Sequence, residues 1–134
     1  MSMETRYVKN AGAVFTLKYH LVWCPKYRRP VLEGRVAARL RVLLRVKAKE
    51  FEWTFHALEI MPDHVHLFVE TDPRWCPAEV AQRLKGYTSH VLRGEFACLR
   101  SRLPTLWSRS YFIATVGSVT DSAVRKYIES QKGK

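Results

Sequence analysis

Cysteine is scarce in this 134-residue sequence, and the three present have no arrangement that suggests pairing. Cys24, Cys76 and Cys98 are odd in number, widely separated and without a Cys-x-x-Cys spacing. This argues against a disulfide framework and against a thiolate zinc site. No apolar run reaches the ~20 residues that cross a bilayer, so no membrane partner is expected. The opening MSMETRYVKN lacks the basic-then-apolar pattern of a signal peptide, and the expected compartment is the cytoplasm. Low-complexity stretches, repeats and obvious linkers are missing too, so residues 1–134 read as one domain, large enough to bury a core. Acidic residues are few: 12 Asp+Glu stand against 23 Lys+Arg, a net charge of +11. That excess on a small domain favours a polyanionic partner. Charge alone does not choose between DNA, RNA and lipid, and a merely solvated basic surface carries the same total.

What is present has clear periodicity. In "VFTLKYHLVWC" (14–24), Phe15, Leu17, Tyr19, Leu21 and Trp23 alternate as one side of a half-buried strand. "PKYRRP" then breaks the strand and puts Lys26, Arg28 and Arg29 on a loop. Residues 33–50 have helical spacing, with Val36, Leu40, Leu43 and Leu44 on one stripe and Arg35, Arg39, Arg41, Arg45 and Lys49 elsewhere. Residues 51–61 and 64–71 read as two strands of a hairpin turned at Pro62-Asp63. A second helix is expected from Pro77 to about Arg93, with Val80, Leu84, Val91 and Leu92 inward. A strand follows over 110–117, and Ser118 or Thr120 can cap a last helix, about 119–131. The order β-α-β-β-α-β plus a terminal helix predicts an α+β, ferredoxin-like split βαβ arrangement: an antiparallel sheet with helices on one face.

Two constellations carry possible chemistry. In "EIMPDHVHLFVE" (59–70), strand periodicity points His64 and His66 to one face, Cα atoms roughly 6.5–7 Å apart. Val65, Leu67 and Val69 take the other face. Two imidazoles so spaced can converge on a metal ion, or can be hydrogen-bonded histidines on a wet face. His20, His56 and His90 have no comparable partner in the sequence and read as ordinary residues. In "VRKYIESQ", Tyr127 and Gln131 are four apart on one helical face, their Cβ atoms ~5–6 Å apart. They read either as a core-edge tyrosine beside a solvated glutamine, or as chemistry if this helix docks over the histidines. In that second case Gln131 offers a carbonyl oxygen as a third ligand, and the Tyr127 phenol is a nucleophile beside a Lewis acid.

Taken together, "YHLVWCPKYRRPVL", "MPDHVHLFVE", "LWSRSYFIATVG" and "VRKYIESQ" resemble the single-tyrosine HUH transposases of the IS200/IS605 insertion-sequence family. The resemblance runs from about Tyr19 to Gln131, in the same order. It implies a homodimer with shared active sites that cleaves and rejoins single-stranded DNA beside end hairpins, using Mg²⁺ or Mn²⁺. Carried over, Tyr127 is the catalytic residue, attacking a phosphodiester to give a 5′-phosphotyrosine. His64, His66 and Gln131 hold the metal, with Asp63 a candidate to orient a ligand histidine or simply to form the turn.

With that implication the basic and aromatic residues acquire candidate tasks. Lys26, Arg28, Arg29, Arg35, Arg39 and Arg45 can track hairpin phosphates, and Trp23, Tyr27 and Trp107 can stack unpaired bases. Two other functions stay open: a relative acting on dispersed palindromic repeats, and a non-catalytic nucleic-acid-binding module on the same scaffold.

Overall fold

Alternation along two neighbouring strands separates the faces of the sheet. The computed structural model describes residues 8–10, 13–115 and 120–134. A small antiparallel pair, β1 (Val8–Asn10) and β2 (Ala13–Phe15), precedes the main sheet. That sheet contains β3 (Leu17–Trp23), β4 (Thr54–Met61), β5 (His64–Thr71) and β6 (Phe112–Thr115), in the order β4-β5-β3-β6 with every pairing antiparallel. Tyr19, Leu21 and Trp23 of β3 and Val65, Leu67 and Val69 of β5 point into one core. His20 and Val22, and His64, His66 and Phe68, therefore belong to the opposite face.

Helices α1 (Gly34–Phe51) and α2 (Pro77–Glu95) cover the apolar face. Leu40, Leu43 and Leu44 of α1 and Val80, Leu84 and Leu92 of α2 are buried against it. The fold is the expected α+β arrangement, a four-stranded antiparallel sheet with a further C-terminal helix, α4 (Asp121–Ser130). A short helix, α3 (Ala97–Ser101), lies where the sequence suggested loop.

Element boundaries differ from expectation in three places. The strand expected over 14–24 is split between β2 and β3. Phe51 closes α1 rather than opening β4, because Glu52 takes a left-handed conformation (φ 59°) and its N–H caps Ala48 and Lys49. The strand expected from 110 begins at Phe112, leaving Ser110 in the preceding loop. Thr120 caps α4, its side chain accepting from the Ala123 N–H at 3.1 Å; the alternative cap, Ser118, lies outside the described residues. Among the described residues, no helix is long and apolar enough to cross a membrane.

Candidate active site

A two-residue turn at Pro62-Asp63 sets Met61 opposite His64 and Glu59 opposite His66. That register directs both histidines away from the core, and each ring is then held by a neighbour. Asp63 Oδ1 lies 2.9 Å from Nδ1 of His64, leaving Nε2 of that ring to face outward chemistry. His66 Nε2 lies 2.9 Å from Nδ1 of His20 on the adjacent strand. His20 in turn stacks on Phe68, ring centroids 4.6 Å apart and nearly parallel. Burial pushes the His66 pKa down, assisted by neighbouring His20, and burial likewise lowers that of His20. Both rings therefore favour the neutral form, which has a lone pair to offer.

Across this face lies α4. Its Asp121, Val124, Arg125, Ile128 and Glu129 close a cleft of about 490 Å³ with His64, His66, Asp63 and Arg28. Arg28 spans the cleft: Nε is 3.5 Å from Asp63 Oδ2, while Nη1 reaches Glu129 Oε1 and the Ile128 carbonyl, each at 3.4 Å. The carbonyl contact is at the C-terminal turn of α4, where the helix dipole favours a cation. Arg28 reaches this position through two successive left-handed residues, Tyr27 (φ 61°) and itself (φ 54°). Without glycine, that backbone costs on the order of 1 kcal/mol per residue.

Tyr127 and Gln131 occupy the other flank of α4, toward β6. The Tyr127 ring packs on Phe112, centroids 5.7 Å apart, and its phenol is 2.9 Å from Ser110 Oγ. Ser110 Oγ also donates to Gln131 Oε1 at 2.9 Å, and Gln131 is buried. Burial raises the Tyr127 pKa to about 12. The loop holding Ser110 is anchored by Lys85, whose ammonium donates to the Ser108 and Ser110 carbonyls at 2.8 and 3.1 Å. Burial lowers the Lys85 pKa to about 8.

The structure thus brings His64, His66, Asp63 and Arg28 together beneath α4, and puts Tyr127 and Gln131 on the far side of that helix. As metal donors, the imidazoles of His64 and His66 suit a divalent ion. Among the described residues no three His, Cys, Asp or Glu converge to hold one, so a third donor must come from another residue type or another molecule.

Several candidates for DNA contact stand elsewhere. Trp23 and Trp107 are core residues packed edge to face at 5.9 Å, with Trp107 Nε1 donating to Thr88 Oγ1; neither presents a face to a base, which corrects their assignment as stacking residues. Tyr27 is 38% exposed, with the Lys26 ammonium 5.1 Å from its ring centroid. Arg29 lines a separate groove with Arg102. Arg35, Arg39 and Arg45 sit on α1, across the sheet from the histidines, and Arg39 is held by both carboxylate oxygens of Glu95. His20, Ser110 and Lys85 escaped the sequence reading. For His20 a signal existed: strand alternation combined with a split βαβ topology sets it beside His66, which gives that ring the partner the sequence had not named.

An antiparallel sheet with a histidine-pair cleft beneath a tyrosine-bearing helix defines an α+β domain of the class found in insertion-sequence transposases. Residues 13–131 match the family model for IS200-like transposases, and the chain belongs to that family of mobile-element proteins. It is 39% identical over 128 residues to the ISDra2 transposase TnpA of Deinococcus radiodurans, covering 94% of this chain and 91% of that protein. The transposase for insertion sequence element IS200 of Salmonella typhimurium is 32% identical over 119 residues, covering 85% and 76%. A crystal structure of a candidate transposase from Deinococcus radiodurans superposes with a TM-score of 0.86 at 35% identity, covering 95% of this chain and 99% of that one. A REP-associated tyrosine transposase, solved bound to a REP hairpin, shares the fold at TM-score 0.58 and 16% identity, covering 96% and 69%.

Proposed function

We propose that this transposase cleaves and rejoins single-stranded DNA at insertion-sequence ends, after recognising end hairpins, through a 5′-phosphotyrosine formed on Tyr127. The observation that carries the reading is the packing of α4, which bears Tyr127 and Gln131, over the strand face that bears His64 and His66. In the first step the Tyr127 oxygen forms a bond to phosphorus and the bond to the 3′-oxygen breaks, leaving a 3′-OH and the enzyme on the 5′-phosphate. In the second, a 3′-OH attacks a phosphotyrosine and the tyrosine oxygen leaves, so no external energy source is required.

His64, His66 and Gln131 would hold a divalent ion, Mg²⁺ or Mn²⁺, which supplies Lewis-acid polarisation of the scissile phosphate. Asp63 orients His64 through Nδ1, and Arg28 offers positive charge to the phosphate oxygens in the cleft. Tyr127 does not line the histidine cleft, and burial pushes its phenol up to about 12, so attack at that centre requires Tyr127 to leave its present surroundings. A homodimer in which α4 of each copy serves the histidine pair of the other meets that requirement.

Incubating the protein with Mn²⁺ and end-derived single-stranded DNA tests this reading. Wild type should give a covalent adduct that survives denaturing electrophoresis. Tyr127→Phe should give none, while binding the hairpin within about tenfold of wild type, the upper cost of one hydrogen bond. Adduct formation by the Phe variant would overturn the assignment. Salt-sensitive binding with no adduct in wild type would leave a nucleic-acid-binding module.

A further inference from the structure

One hydroxyl meets both functional groups of α4. Ser110 Oγ carries a single proton and gives it to Gln131 Oε1. At its other contact, 2.9 Å from the Tyr127 oxygen, the phenol must therefore be the donor. The direction of the chain, Tyr127 to Ser110 to Gln131, is set at its far end as well. Gln131 Nε2 donates to Ser130 Oγ at 3.3 Å, and Ser130 Oγ donates to the Tyr127 carbonyl at 2.6 Å, which orients the amide.

The seat itself is firm. Lys85 Nζ binds the carbonyls of Ser108 and Ser110, and the Ser108 N–H donates to the Cys24 carbonyl at 2.9 Å. The helix seated there has little packing of its own: no residue from Asp121 to Ser130 is buried, and only Gln131, which ends the helix, is. Arg28 adds polar contacts to Ile128 and Glu129 at the other flank of the helix, and the Ser108 side chain also bears on the Tyr127 phenol.

We propose that Ser110 is a positioning residue for Tyr127 and Gln131, holding both as one unit on the β6 side of α4 in a resting arrangement. The inference rests on the phosphotyrosine reading for its functional meaning. In this arrangement the nucleophile keeps its proton, and the amide oxygen that would serve a metal is occupied. Neither group lines the histidine cleft. Breaking the two Ser110 contacts together releases Tyr127 and Gln131 from the β6 side, so that α4 can turn them toward the histidine pair of its own chain or of a second copy.

The test uses the full chain with Ser110→Ala and Ser110→Thr, the latter retaining a hydroxyl. Hydrogen exchange, measured without metal or DNA, should quicken about three- to tenfold in α4 of the Ala variant, the range a lost hydrogen bond commands, with β3 and β5 unchanged. Single-turnover adduct formation should rise by a similar factor, and Ser110→Thr should return both quantities to near wild type. Unchanged exchange in α4 of Ser110→Ala overturns the inference whatever the catalytic result. A fall in adduct formation that threonine rescues also overturns it, because Ser110 would then serve the reacting arrangement. If exchange responds as expected and wild type forms no adduct, the positioning stands and the phosphotyrosine reading fails.

Discussion

Nδ1 of His20 lies 2.9 Å from Nε2 of His66, joining adjacent strands across the open face of the sheet. The contact turns two isolated histidines into a pair that shares one proton, with Phe68 stacked behind His20 as a backstop.

This pair predicts a pH dependence of stability. Burial depresses both pKa values below 6.5 in the folded chain, so just under that value the unfolded chain binds more protons. The stabilisation is complete above about 6.5 and is lost as pH falls through the window beneath it. The urea midpoint should drop between about pH 7.5 and about pH 5.5, and drop less in His20→Phe. A midpoint that rises on acidification would contradict the sign.

Asp63 holds His64 on one side and meets Arg28 on the other. Asp63→Ala should weaken Mn²⁺ binding about 10- to 100-fold by calorimetry, the usual cost of losing a group that orients a ligand. Hairpin binding in chelator should be unchanged. Equal Mn²⁺ affinity in the two proteins would remove Asp63 from the centre.

Trp23, which ends β3, and Tyr27, in the loop after it, should part company. Trp23→Ala should cost about 3–5 kcal/mol in urea unfolding, because it empties a fully buried site. Tyr27→Ala should leave stability nearly intact and weaken single-stranded DNA binding by about 1–3 kcal/mol if a base stacks there. Unaltered DNA affinity would exclude Tyr27 from the interface.

Arginines on opposite faces should likewise separate. Arg39 of α1 is engaged by Glu95 of α2, so Arg39→Ala should shift hairpin affinity less than about twofold and leave its salt slope in place. Arg28→Ala should slow adduct formation about tenfold or more, as loss of charge-assisted bonds in the cleft does. Equal effects of the two substitutions would mean the cleft has no special claim on Arg28.

The layering of the protein was legible from residue order. Alternation in "TLKYHLVW" and "HVHLFVE" determines which side chains meet α1 and α2, because a strand has a period of two and one face must be dry. The same rule put His64 and His66 on one side with Val65 and Leu67 on the other, and the i, i+4 spacing aligned Tyr127 with Gln131. Such local periodicities need no knowledge of distant contacts.

The neighbours of those residues were decided only by tertiary structure. Pairing β3 with β5 brought His20 to His66, 46 residues away, and a left-handed turn carried Arg28 across to Asp63 and the end of α4. Aromatic character alone could not say that Trp23 and Trp107 would be spent on the core. Nor could helical spacing say which flank of α4 faces the histidines. That depends on how a half-buried helix is seated, and the seat is a serine hydroxyl in a loop with no periodicity to announce it.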